Sequence, residues 1–250
     1  MLPQLLLALC LSSAQAAQKP EPTLQEQFDD GVKAMKRANY TKALEILNKI
    51  RTYHRDDPLS IEAELAIADV YYKKGDWDQA RVAYQEFAKM HPRYRALDYV
   101  YYRMGSTLAK KAPKVAARDQ TWTVQARDTW KDFRTLFPDS QYVGEVDEYL
   151  AAAEERLARK ELLIAQFYAR RKAWPAVQGR AVGLARTYAA SSSLPEAMSL
   201  LDQALRAQSP ENKAAVIQAL DARATQLAAS SEPAAQKGAA ALQEQLKKLR

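Results

Sequence analysis

The apolar positions of this chain never settle into the strict alternation of a half-buried strand. They return at helical spacing instead, as in AIADVYYKKGDWDQARVAYQEFAKMHP, residues 66 to 92. Ala, Leu, Gln, Lys, Arg and Glu, the better helix formers, abound, and Gly is scarce at 7. An all-α protein is predicted, and the length of 250 residues allows one or two domains with a substantial core.

Within that stretch Ala68, Tyr71, Gly75, Trp77, Ala80, Tyr84 and Pro92 stand at the offsets of the tetratricopeptide repeat, a helix–turn–helix unit of about 34 residues. Ala68 and Ala80 are small where two antiparallel helices cross, and Tyr71 and Tyr84 fill the space beside them. Gly75 can adopt positive φ and end the first helix, and Pro92 stops the second. Upstream, Gly31, Ala43 and Leu47 match, with Pro58 closing the unit late. Downstream, Tyr101, Gly105 and Leu108 form a first helix and Ala126, Trp130, Phe133 and Pro138 a second. This third unit carries about 12 extra residues. They fall in KKAPKVAARDQTW, a charged loop containing Pro113. Ala165, Tyr168, Trp174, Val177 and Leu184 form a fourth unit, with Ala189 in place of its closing proline.

Beyond that the pattern fades. Helices are expected near Pro195, Pro210 and Pro233, the last thinly apolar and prone to fray. The expected architecture is a superhelical tetratricopeptide solenoid of about five units. Its parts are a leader 1–16, a linker 17–23, units one to three over 24–139 with the insertion 110–122, units four and five over 140–228, and a helical tail 229–250. Thr23 and Glu26 read as a capping box for the first helix. Ser140 reads as the cap of a helix beginning near Val143.

The leader follows from the apolar run Leu5 to Leu11, too short to span a bilayer, and the small-x-small site Ala14-Gln15-Ala16. Cys10 is the only cysteine. A lipoprotein signal sets a small residue before the acylated cysteine, and Leu9 stands there instead. Acylation at Cys10 and cleavage after Ala16 both stay open. Cleavage would leave no thiol, and with it no disulfide, cysteine nucleophile or cysteine–metal site.

The net charge of +7 is spread among carboxylates, consistent with a solvated surface or with attraction to an anionic membrane or acidic partner. A nucleic-acid role is disfavoured by the leader and by the lack of a Gly-rich or Lys-rich loop. No GxSxG, HExxH or phosphate loop is present. The two histidines, His54 and His91, sit at like places in neighbouring repeats, and the pairs Asp56-Asp57 and Glu154-Glu155 lie on solvent-facing stretches. No catalytic residue, cofactor or metal site is therefore expected. What a repeat array offers is a groove lined by the first helix of each unit. Its positions are Phe28, Val32 and Met35, then Leu65, Asp69 and Tyr72, then Tyr99, Tyr102 and Lys110. An aromatic stripe rimmed by charge suits a peptide.

Three stretches carry a family resemblance. They are residues 66–105, residues 118–162, and AQFYARRKAWPAVQGRAVGLARTY at 165–188. The long third-unit insertion and the FYxRRxAW sequence make the likeness more specific than a generic repeat. The chain resembles the BamD family, tetratricopeptide lipoproteins of the β-barrel assembly machinery in the Gram-negative outer membrane. The resemblance spans roughly residues 24 to 206. It implies a non-enzymatic scaffold in the periplasm at the inner leaflet of the outer membrane. The N-terminal units would receive unfolded outer-membrane proteins through aromatic C-terminal signals. The C-terminal units would dock the periplasmic domain of the barrel-forming subunit, with Arg180 in that region. The alternative is a periplasmic tetratricopeptide adaptor of the cell envelope not tied to barrel insertion.

Overall fold

The computed structural model describes residues 21–208 and 210–250. The leader, Cys10 and the site after Ala16 lie outside the described residues. Among those described the chain is all-α, with no strand. It divides into two compact units, one ending at Ile67 and the other running from Ala68 to Arg250.

The first unit is built on helices α1 (Leu24–Lys36) and α2 (Tyr40–Tyr53) and includes the opening turns of α3 (Pro58–Lys74). The capping box forms: Thr23 Oγ1 accepts from the Glu26 amide, and the Thr23 amide donates to Glu26 Oε2 at 2.8 Å. Gly31 lets α2 approach, since a β-carbon there would sit 3.0 Å from Leu47 Cδ2. Ala43, Leu47 and Ile50 are wholly buried along α2. Pro58 does not close this repeat as its position suggested. α2 has already ended at Tyr53, and Pro58 is the first residue of α3, where its missing N–H costs nothing.

The second unit holds the end of α3, then α4 (Trp77–Met90), α5 (Leu97–Lys111), α6 (Thr121–Trp130), α7 (Phe133–Leu136), α8 (Val143–Arg170), α9 (Trp174–Thr187), α10 (Leu194–Arg206), α11 (Pro210–Ala228) and α12 (Pro233–Leu249). Consecutive helices pack as α4 on α5, α5 on α6, α8 on α9, α9 on α10 and α11 on α12. These are the helix–turn–helix units of the tetratricopeptide class.

One turn recurs three times. After the first helix of a pair, the chain enters the left-handed region at Ala38 (φ 59), Gly75 (φ 83) and Lys172 (φ 56). Each time the next amide returns to the helix: Asn39 to the Ala34 carbonyl, Asp76 to Tyr71 and Ala173 to Tyr168. The left-handed residue's own amide also bonds back, to Met35, Tyr72 and Ala169. This is the double-bonded helix ending that a left-handed residue makes possible. Only Gly75 announces it by residue type.

Three further readings are corrected. The second helix of the third repeat breaks at Lys131 and Asp132, giving α6 and the short α7. The N-cap of α8 is Tyr142, not Ser140, whose Oγ accepts from the Tyr142 amide and donates to Asp98 Oδ2 at 2.7 Å. The tail, thinly apolar by sequence, is packed against the helices before it. Leu242, Leu246 and Leu249 of α12 enter the same core as Leu184, Leu201 and Leu220. Gly238 makes room, because a β-carbon there would meet the Ala190 backbone amide at 3.2 Å.

α8 is a single helix of 28 residues, about 42 Å long. Near its start Val146 joins Tyr102, Trp130 and Phe133 in one apolar cluster, and further along Ala158 and Leu162 join the core of α9 to α12. One rigid element thereby ties the aromatic third repeat to the aliphatic C-terminal helices.

Candidate functional site

On α5, Tyr99, Tyr102 and Arg103 follow the three- and four-residue spacing that brings side chains to one helix face. Asp69 and Tyr72, three apart on α3, meet that face. The Tyr84 hydroxyl donates to Asp69 Oδ1 at 2.6 Å and the Tyr99 hydroxyl to the same oxygen at 2.7 Å. The Arg103 guanidinium carbon lies 4.7 Å from the Tyr72 ring centre, 5.0 Å from that of Tyr99 and 5.5 Å from that of Tyr102. Tyr72 is steadied by the edge of Trp77, their ring centres 5.2 Å apart. Tyr102 stacks on Tyr142 at 4.2 Å and donates to Glu145 Oε1 at 2.6 Å.

The electrostatics follow from burial. Loss of water raises the Asp69 carboxyl above its ordinary value, against the hydroxyl bonds of Tyr84 and Tyr99 and the charges of Arg103 and Lys73. Burial likewise pushes up the phenols of Tyr84 and Tyr99, reinforced by the Asp69 charge. The Tyr102 phenol is pushed up to about 12, by burial first and then by its bond to Glu145. The tyrosines therefore stay neutral donors at physiological pH. Arg103 stays charged, caged among three rings, and its buried Nε has no hydrogen-bond acceptor. Such a cage supports a cation by ring electrostatics, and Arg103 as a whole is only half-buried, so its charge can still meet an anionic group.

Eight of the nine groove positions fall into two sets. In the first unit Phe28 and Val32 are half-buried, whereas Met35 and Leu65 are buried. In the second unit Asp69, Tyr72 and Tyr99 are half-buried and converge on Arg103, while Tyr102 is buried at 8% exposure. Lys110 is exposed at the end of α5 and belongs to neither set. Sequence reasoning missed Arg103 and read Tyr84 as packing alone. The signal was available for Arg103, since it lies four residues after Tyr99 on the same helix.

Arg180 lies apart, exposed on α9, with Nη1 3.0 Å from Glu161 Oε2 on α8. Glu161 also borders a cavity of about 370 Å³ with Gln120, Val124, Leu157, Lys160 and Tyr188. At the end of α8, Arg171 covers the exposed ring of Phe167, its guanidinium carbon 3.6 Å from the ring centre. Glu155, read as an idle surface carboxylate, instead accepts from the amide and hydroxyl of Ser192. Burial opposes its ionisation, but the bonds from Ser192 and Ser191 together with the Arg159 charge outweigh it and lower its pKa. Among the described residues no His, Cys, Asp and Glu cluster could hold a metal ion, and no helix is long and apolar enough to cross a membrane.

Comparison with known proteins adds to this geometry. A family model described as "YfiO: Outer membrane lipoprotein" matches residues 20–220. An outer membrane protein assembly factor BamD from Pasteurella multocida is 30% identical over 206 residues, 78% of this chain and 77% of that protein. Proteins of the same name from Neisseria gonorrhoeae and Haemophilus influenzae are 23% and 25% identical, each over 74% of this chain. Among solved structures, a chain of TPR-like repeats from Podosopora anserina aligns with a TM-score of 0.38 and 12% identity, over 83% of this chain and 97% of that one. The fold assignment rests on the helix pairs themselves.

Proposed function

This chain belongs to the YfiO family of outer membrane lipoproteins, and from that premise we propose that it is a non-enzymatic scaffold for assembling β-barrel proteins into the outer membrane. It works from the periplasmic side. The caged Arg103 and its tyrosines receive the end of an unfolded barrel protein. The C-terminal helices around Arg180 hold the barrel-forming subunit.

The observation that carries this reading is the Arg103 cage. A guanidinium among three tyrosine rings offers one charged donor within an aromatic wall. That combination fits a peptide ending in an aromatic residue and a free carboxylate. At the other end, the Arg180–Glu161 pair is partly exposed, with side chains 45% and 28% accessible. Such a pair contributes little to stability, so a partner carboxylate can replace Glu161 at small cost.

Two measurements test the reading. Fluorescence anisotropy with a labelled peptide ending in phenylalanine should show tighter binding of the free acid than of the C-terminal amide. Arg103→Met should abolish that preference, and Tyr72→Ala should weaken both forms. Equal affinity for acid and amide in the unaltered protein would remove the carboxylate role. Separately, tagged protein from detergent-solubilised envelope should recover a barrel-forming outer-membrane subunit, and Arg180→Ala should reduce its yield. A clean preparation without that subunit would favour a periplasmic adaptor outside barrel assembly.

A further inference from the structure

We propose that the insertion between α5 and α6 is a docking loop for the anionic lipid surface of the membrane at which the protein works. The proposal rests on the outer-membrane location argued above, not on the assembly role.

Residues 112–120 form no helix, yet they are held at several points. Gln120 is only 1% exposed, and its Nε2 donates to the Val115 carbonyl at 2.8 Å. Thr123 in turn donates to Gln120 Oε1 at 2.6 Å, fixing that side chain. At the other end Lys111 is clamped, its Nζ 2.6 Å from Asp78 Oδ1 and 3.6 Å from the ring centre of Trp122. A loop this short with a buried glutamine as its organiser has one preferred shape.

That shape turns one aliphatic side chain and several cations outward. Val115 is 57% exposed, and Lys110, Lys114 and Arg118 are exposed as well. No carboxylate occurs between Lys110 and Arg118, and none of these three cations has an ion-pair partner among the described residues; Asp119, next in the loop, accepts from the amide and hydroxyl of Thr121. The longer stretch from Leu162 to Pro195 also lacks a carboxylate, but its five cations are spread over α8, α9 and the turn between them. Exposing an ordered valine is unfavourable in water, but it is favourable where the side chain can enter a headgroup layer. The excess of cations on the same loop complements anionic lipid. Each cation strengthens attachment to such a surface roughly 5-fold, and three together roughly 100-fold. That is modest for a free protein, but enough to orient one already held nearby.

The test uses the chain without residues 1–16, which has no cysteine and cannot bind through its leader. Val115→Cys carries an environment-sensitive fluorophore, and the same label at Val82, exposed on α4, serves as the control. With vesicles of phosphatidylethanolamine and phosphatidylglycerol at low salt, the label at 115 should shift to the blue and that at 82 should not. Phosphatidylcholine vesicles should leave both unchanged. Lys110→Ser with Lys114→Ser and Arg118→Ser should lower partition roughly 100-fold. Lys237→Ser with Lys247→Ser and Lys248→Ser, an equal loss of charge on α12, should lower it far less. Equal losses from the two triple variants would mean that net charge alone binds, and would overturn the proposal. So would a water-like label at 115 on bound vesicles. A shift at 115 with polyglutamate but not with vesicles would assign the loop to an acidic protein instead. These readouts involve no assembly partner, so failure here leaves the recovery of a barrel-forming subunit to be judged on its own.

Discussion

The indole of Trp130 occupies the place where a side chain on Gly105 would have to go. A β-carbon built on Gly105 falls 2.2 Å from Trp130 Cε2. The ring is held there by its Nε1–H, which donates to the Tyr101 carbonyl at 3.2 Å, and by the edge-on ring of Tyr149 at 4.9 Å. Gly105→Ala should therefore expel the ring and destabilise the protein by at least about 2 kcal/mol. Trp130→Ala should cost about 3–5 kcal/mol. Urea unfolding of the two single variants and the double variant would show strong non-additivity, since both remove the same contact. Additive losses would place the tryptophan elsewhere.

The left-handed turns at Ala38 and Lys172 have a side chain where glycine would be unstrained. A left-handed residue costs roughly 1–2 kcal/mol, and glycine's extra unfolded-state freedom returns part of that. Lys172→Gly should raise stability by about 0.5–1 kcal/mol. Gly75→Ala should lower it by a similar amount. Thermal unfolding followed by circular dichroism reads both, and opposite signs at the two positions are the required outcome.

Asp69 makes the pH prediction. Burial raises its folded-state carboxyl above the ordinary aspartate value, so between the unfolded and folded values the folded form holds a proton that the unfolded chain has released. Its contribution is full below the unfolded pKa and is lost as pH rises through the folded one. The stability of the protein minus that of Asp69→Asn should fall as pH rises from the ordinary aspartate range toward neutrality. Chemical denaturation at several pH values measures this difference. A difference that grows with pH would mean that the two tyrosine hydroxyls outweigh burial.

Leu246 tests whether the last helix belongs to the core. It is 1% exposed and clusters with residues of α9, α10 and α11. Leu246→Ala should cost about 2–5 kcal/mol and shift the unfolding of the C-terminal helices. Hydrogen exchange should show α12 amides protected to the same degree as those of α10. A frayed tail would exchange at once and tolerate the substitution.

Much of this was legible along the chain. The helix starts near Pro195, Pro210 and Pro233, the capping box at Thr23 and the close approaches at Ala43, Ala80 and Ala126 all follow from local spacing. The caged arginine was harder to see. Its partners come from α3 and α5, and nothing in the local pattern says which of many tyrosines will face a given cation. The organised loop was harder still, since Gln120 looks like any polar residue until its burial is known.

By itself, then, the sequence determined the helices, their pairing into repeats and the family, because helix propensity, turn residues and repeat spacing act between near neighbours. Tertiary structure alone decided that α8 would run unbroken between two cores, that a thin tail would be buried, and that Arg103 would stand among tyrosines with an unmatched nitrogen. Those outcomes depend on burial summed over distant helices, where a few leucines or rings become stable only once the surfaces that cover them are in place.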